Sequence, residues 1–132
     1  MTAAARGQRE RGEVTATVLM IPAILLTVLF VVQFALAYYA RSVLAGAAYD
    51  GATAGARRGS TPAAGAALTD ELLAQSARAL LSSHDATARV EGDRVVVAVE
   101  ARVVSLVPFV RGITVRANAT ARQEAFAAQR AP

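Results

Sequence analysis

Three regimes of hydrophobic patterning follow one another along the chain. The first is a run of 27 residues without a charge, from Val14 to Ala40. Crossing a hydrocarbon core of about 30 Å takes roughly 20 residues of α-helix, so this run predicts a membrane-spanning helix. Thr17, Thr27 and Gln33 are its notable polar interruptions. Tyr38 and Tyr39 stand at its end, where interfacial aromatics collect, and Arg41 closes it. The second regime, Arg41–Arg58, is rich in Ala and Gly and free of Pro, with Val43, Leu44, Ala47, Ala48, Gly51, Ala54 and Gly55 at helical spacing. It predicts that the same helix continues beyond the bilayer. Gly59-Ser60-Thr61-Pro62 then stops it, with Gly as the C-terminal cap, Ser60 or Thr61 as the next N-cap and Pro62 at the first helical position. A second helix follows to about Ser82, burying Leu68, Leu72, Leu73, Ala77, Leu80 and Leu81; alternatively Asp70 and Glu71 mark its first turn, with Thr69 as the cap.

After His84 the period falls to 2, the third regime. In Arg94–Val104 one face carries Val95, Val97, Val99, Ala101 and Val103, and in Ile113–Arg122 one face carries Ile113, Val115, Ala117, Ala119 and Ala121. A shorter strand, about Ala86–Glu91, joins the first of these through a two-residue Gly92-Asp93 turn. The expected architecture is α+β: a long N-terminal transmembrane helix continuing into a small ectodomain with a second helix and a three-stranded antiparallel sheet. The expected boundaries are a cytoplasmic leader over 1–12, the span over 13–40, its helical extension over 41–60, the α+β ectodomain over 61–126 and a tail over 127–132.

The orientation of the span is open on charge alone. Arg6, Arg9 and Arg11 precede it and Arg41, Arg57 and Arg58 follow it, three basic residues near each end. The N-terminal amine and the short leader tip the balance towards a cytoplasmic N-terminus. Ala35-Leu36-Ala37 offers a signal-peptidase pattern, but the apolar run before it exceeds the ordinary signal length of about 7–15 residues.

The residue inventory narrows function more than fold. There is no Cys, which excludes disulfides, thiolate metal sites and a Cys nucleophile. His84 is the single His, too few for a histidine-based metal site or a Ser-His relay, and its expected place is beside the last carbonyls of the second helix. Ser82 and Ser83 read as loop serines, and no G-x-S-x-G surrounds any serine. No catalytic residue, cofactor or metal is therefore expected, and the chain reads as a non-enzyme. All 14 basic residues are Arg, yet the net charge of +4 is low for a nucleic-acid binder. Neither nucleic acid nor a small-molecule substrate is expected as a partner.

Three segments carry a family resemblance. Arg11-Gly12-Glu13-Val14-Thr15-Ala16-Thr17, followed by an apolar run with Pro22, resembles the N-terminus of TadE-like proteins, bacterial minor pseudopilins of the tight-adherence (Flp) class of type IV pilus systems. Ala47-Ala48-Tyr49-Asp50-Gly51-Ala52 is similar to the family's Ala-Ala-x-x-Gly-Ala stretch after the span, and Val107-Pro108-Phe109 between the closing strands is similar as well. The resemblance covers most of the chain. It implies a single-pass protein of the cytoplasmic membrane with its C-terminal domain outside, acting in pilus assembly. Its implied partners are a prepilin peptidase, other pilins or pseudopilins and the assembly platform.

The resemblance further implies a processing site after Gly12 that leaves Glu13 as the first mature residue. A glycine there suits an extended backbone entering a narrow cleft. The family usually has Glu at the fifth mature position, which in this chain is Thr17. That Glu is thought to pair with the amino terminus of a neighbouring subunit, so its replacement fits a priming or minor role better than that of a major subunit.

Plainer readings stand beside these. Pro22 is accounted for by a helix kink or by packing. Gly51 and Gly55, and Gly55 with Gly59, have the four-residue spacing of close helix packing, which an Ala/Gly-rich segment also produces by chance. Asn118-Ala119-Thr120 fits a glycosylation pattern but falls on a strand. Leu106–Val110 is an apolar loop that tucks against the membrane helix or marks a docking patch. Two other functions remain open: a secreted domain released after Ala37, and an unprocessed membrane-anchored envelope protein that binds a partner.

Overall fold

The computed structural model describes residues 3–123, with side chains from Gly7 onward. The start of the leader at Met1 and Thr2, the last residues of the expected ectodomain and the tail over 127–132 lie outside the described residues. Five elements follow in order: α1 (Ala3–Ala56), α2 (Pro62–Ser76), β1 (Leu81–Glu91), β2 (Arg94–Val103) and β3 (Thr114–Arg122). This is the α+β architecture that the patterning predicts.

Helix α1 contains 54 residues, about 80 Å of continuous helix at 1.5 Å per residue. It has two environments. From Val14 to Val32 its side chains stand exposed around nearly the whole circumference. From Gln33 onward a stripe is buried at intervals of three or four residues: Gln33, Ala40, Leu44, Ala47, Ala48, Gly51, Ala52, Gly55 and Ala56. That spacing is one face of a helix. Packing thus begins at Gln33, well inside the uncharged run, and continues through Leu36, Ala37 and Ala40 on the same face.

The sheet has the order β1-β2-β3, antiparallel throughout. Ala86 pairs with Val99, Val97 with Ala119 and Ala101 with Val115. The central strand supplies Val95, Val97, Val99, Ala101 and Val103 to the inner face, where they meet Leu44 of α1 and Leu73 of α2. Burying one such side chain fully contributes roughly 1.5–3 kcal/mol. Small Ala residues on α1 and a β-branched face on β2 allow a helix to lie flat on a sheet only three strands wide. Helix α1 lies along β2 and β3, and α2 covers β1.

The connections follow the local chemistry. Gly59, at φ 81°, takes the left-handed conformation after α1. Thr61 caps α2 by accepting from the Ala64 amide at 3.2 Å, and Pro62 occupies the first turn. Thr69 lies inside the helix, so the later start at Asp70 and Glu71 does not occur. At Gly92-Asp93 only the first central residue has positive φ, 62°, the pattern of a type II′ hairpin turn.

Two elements differ from expectation. Helix α2 ends at Ser76 rather than near Ser82, and β1 begins at Leu81 rather than Ala86. Leu81 is buried, but as a strand residue paired with Val103. His84 consequently sits on β1, where its Nδ1 lies 2.9 Å from Asp70 Oδ1. It bridges strand to helix and does not cap the helix end.

Candidate functional site

Four regions bear on function, and α1 carries part of each. The first is the segment around Gly12. Gly12, Glu13 and Thr17 lie within unbroken α1, exposed, and an added Cβ at Gly12 would meet nothing within 4 Å. Gly in a helix interior weakens it by about 1 kcal/mol relative to Ala, so this is a point at which the helix opens at low cost. Thr15 Oγ1 donates to Arg11 O at 2.8 Å and Thr17 Oγ1 to Glu13 O at 2.9 Å. Both hydroxyls are satisfied within the helix, as an apolar surrounding requires. At Thr17 the chain therefore presents a neutral, internally bonded group.

The second region is the bare helix from Val14 to Val32. It lies in the helical stretch Gly7–Ala56, which is long and apolar enough to cross a membrane, with a mean hydropathy of 2.6 in its most apolar window. Thr27 Oγ1 donates back to Ala23 O at 2.8 Å. Pro22 lies inside the helix and has no amide to give to Val18. A stretch of 19 residues is about 28 Å of helix at 1.5 Å per residue, close to the hydrocarbon thickness.

Gln33 forms the third region. This amide is 2% exposed, and it spans the chain that links β2 to β3. Its Nε2 donates to Val104 O at 3.1 Å, and its Oε1 accepts from the Leu106 amide at 2.7 Å. One side chain thus satisfies a carbonyl and an amide that the sheet no longer pairs. The β2–β3 connection is thereby fixed to α1 at the level where the bare helix ends.

The fourth region is the seam between α1 and α2. Gly51 and Gly55 of α1 face Gly65 of α2. A Cβ at Gly51 would stand 2.6 Å from Gly65 O and would collide with Thr69 Oγ1, and a Cβ at Gly65 would collide with Gly51 O. The two backbones are in direct contact. Buried Thr69 stitches them, its Oγ1 lying 3.0 Å from Gly65 O and 3.2 Å from Ala47 O. The seam lies about 60 Å from Gly12 along the helix axis, from the rise per residue. Gly12, Glu13, Thr17 and Pro22 therefore sit at one end of the molecule, and Gly51 and Gly55 at the other.

Gly65, Thr69 and the bonding of Gln33 were not identified as site features from sequence. Gly65 and Thr69 repeat on α2 the four-residue spacing of Gly51 and Gly55 on α1, which is the available signal. For Gln33 the signal is an amide alone in an uncharged run.

Little else in the α+β domain points to chemistry. A cleft of about 550 Å³ beside α1 is lined by Arg41 and by residues of all three strands, among them Asp85, Thr87, Glu100, Arg116 and Asn118. Its Arg116 Nε lies 3.2 Å from Glu100 Oε2, an exposed pair of small energetic weight. Among the described residues no group of three His, Asp or Glu side chains is placed to hold a metal ion.

No curated protein and no solved structure matches the chain. Residues 17–53 match the family model described as TadE-like protein. The match begins inside the bare helix, at Thr17, and ends just past Gly51 at the seam, and this likeness to the TadE-like family suggests a role in Tad pilus systems. Over residues 17–53, most of the apolar helix and the first turns that carry the α+β domain, this chain is similar to TadE-like proteins.

Proposed function

We propose that this chain is a minor pseudopilin that acts in assembly of a tight-adherence type IV pilus. Its bare helix is held in the cytoplasmic membrane with the N-terminus on the cytoplasmic side and the α+β ectodomain outside. A prepilin peptidase cuts after Gly12, and other pilins or pseudopilins and the assembly platform receive the mature subunit. The observation that carries this reading is one continuous helix, bare over Val14–Val32 and packed onto its own domain from Gln33, that contains the segment 17–53 matching the TadE-like model. A helix bare all round is suited to pack first among lipids and then among like helices.

The packing disfavours release after Ala37. Such a cut would discard Gln33 with both of its hydrogen bonds and Leu36 with its contact to the core. The neutral Thr17, bonded to its own helix, supports a priming or minor role. N-terminal sequencing and intact mass of the protein from its native membranes test the proposal. The expected mature chain begins at Glu13. A start at Tyr38 would make it a released domain, and retention of Met1 or Thr2 would make it an unprocessed anchor; either result rejects pilin-type processing.

A further inference from the structure

The connection between β2 and β3 presents its apolar residues outward. In the turn at Leu106–Val110, Val107 is buried, whereas Leu106 and Val110 are partly exposed and Phe109 is fully exposed at the tip. Phe109 is the one non-glycine residue with positive φ among those described, 65°, a conformation that bulky side chains seldom adopt. The turn is nonetheless well tied. Ser105 Oγ donates to Val107 O at 3.1 Å, the Val110 amide donates to Val107 O at 3.4 Å, and Gln33 holds the backbone at Val104 and Leu106. A rigid turn therefore projects an aromatic ring away from its own core.

The level of that turn identifies what the ring meets. Gln33 is the first buried residue after the bare stretch, and the bare stretch alone measures about one hydrocarbon thickness. The edge of the hydrocarbon then falls within a helical turn of Gln33, and the Gln33 hydrogen bonds place Val104–Leu106 at that edge. Exposed Arg111 follows the turn, and exposed Arg78 lies in the neighbouring Ala77–Leu80 turn, whose Leu80 O accepts from the Val104 amide at 3.0 Å. Tyr38 and Tyr39 stand exposed on α1 one to two turns above Gln33. Aromatics with adjoining Arg are the composition of a membrane–water interface, the rings in the acyl boundary and the guanidinium groups among lipid phosphates. A protein partner would have to enter between the ectodomain and the bilayer to cover Phe109.

We propose that Leu106–Val110 is an interfacial lipid anchor, with Phe109 entering the headgroup–acyl boundary beside the span and Arg111 and Arg78 meeting anionic headgroups. The ectodomain is then seated on the bilayer at a fixed height. This inference rests on the reading of α1 as a membrane span.

The absence of native Cys allows a clean test. Single Val110→Cys, Leu25→Cys and Ser60→Cys variants of the full chain are labelled with one environment-sensitive fluorophore. They are reconstituted into vesicles of phosphatidylcholine and phosphatidylglycerol. Quenching by aqueous iodide is compared with quenching by a shallow lipid-borne nitroxide. The label at Val110 is expected to be quenched several-fold more by the lipid nitroxide, and several-fold less by iodide, than the label at Ser60. Adding Phe109→Ser should remove most of that difference. The label's own affinity for lipid is the same in both backgrounds, so the change reports Phe109. A Val110 label as open to iodide as that at Ser60, with Leu25 in lipid, would overturn the anchor and leave the span intact. Protection from both quenchers would show the turn covered by protein and would overturn it too. A Leu25 label open to iodide would overturn the span, and the anchor with it.

Discussion

Gly65→Ala sets two opposing effects against each other on a single methyl group. Helix propensity favours the substitution by about 1 kcal/mol. The structure opposes it, because the new Cβ would collide with the Gly51 carbonyl and stand 3.2 Å from Gly55 Cα. Both obstacles are backbone and cannot rotate away. The helices must separate, and overpacking of this kind costs about 1–3 kcal/mol. Separation also draws Thr69 Oγ1 away from Ala47 O, a hydrogen bond with a net contribution of about 0.5–1.5 kcal/mol. The expected sum is a loss of about 1–3 kcal/mol in the local stability of α2, after the propensity gain is subtracted. Gly46→Ala is the matched control, since a Cβ there meets nothing within 4 Å and only the propensity gain remains. Hydrogen exchange of the α2 amides, read by mass spectrometry on the full chain in micelles, measures that opening free energy directly. Protection over Pro62–Ser76 should fall about ten- to a hundredfold in Gly65→Ala, at one decade per 1.4 kcal/mol, and should be unchanged in Gly46→Ala. Equal protection in the two variants would mean that the seam does not hold α2.

Other substitutions probe separate links. Gln33→Leu removes a donor and an acceptor and leaves Val104 O and the Leu106 amide unpaired; the cost should be about 1–3 kcal/mol, seen as faster exchange confined to 104–110. Thr61→Ala should lower α2 stability by about 1 kcal/mol through loss of the N-cap, again by exchange of its first-turn amides, and Thr61→Ser should restore most of it. Gly92→Ala forces a Cβ into the left-handed region at the hairpin and should cost about 1–2 kcal/mol, read as a lower thermal midpoint of the sheet signal in circular dichroism. Thr17→Glu replaces a hydroxyl bonded to its own helix with a carboxylate; if charge pairing at this position governs filament entry, its share in sheared pili should rise above that of the unsubstituted protein, and an unchanged share would remove Thr17 from the explanation.

The sequence made the framework readable where one physical rule dominated. An uncharged run of this length has few alternatives to a bare helix, and the alternation of Val95, Val97, Val99, Ala101 and Val103 fixed the inner face of β2. The Thr61-Pro62 start and the Gly92 turn were legible because each rests on a local backbone requirement. The end of α2 was not, since Leu80 and Leu81 continue a helical apolar spacing. Pairing of Leu81 with Val103 decides their state, and that contact is distant in sequence. Beyond buried Leu81, strand β1 buries only His84, Ala86 and Ala88, and those partly, so its alternation gives a weak signal. The role of Gln33 depends on partners more than 70 residues away. Gly12 and Glu13 are different again: their reading comes from family resemblance, and their helical setting neither adds to nor subtracts from it.

The division of α1 also constrains how a subunit of the proposed kind would leave a bilayer. Between Val14 and Val32 stand 13 Val, Leu, Ile, Phe and Met side chains, and almost none is covered by the protein's own domain. At roughly 1.5–3 kcal/mol for each side chain, exposing them to water would cost on the order of 20–40 kcal/mol. At about 30 kcal/mol, the middle of that range, thermal crossing would take on the order of decades. The ectodomain cannot supply the missing surface, because its apolar face is already occupied by the stripe from Gln33 to Ala56. A second apolar environment is therefore required, and other helices of the same character provide one without exposing backbone groups. Because Gln33, Thr69 and the glycine seam bind the α+β domain to α1, a force applied to that domain reaches the bare half of the helix without first unfolding a linker.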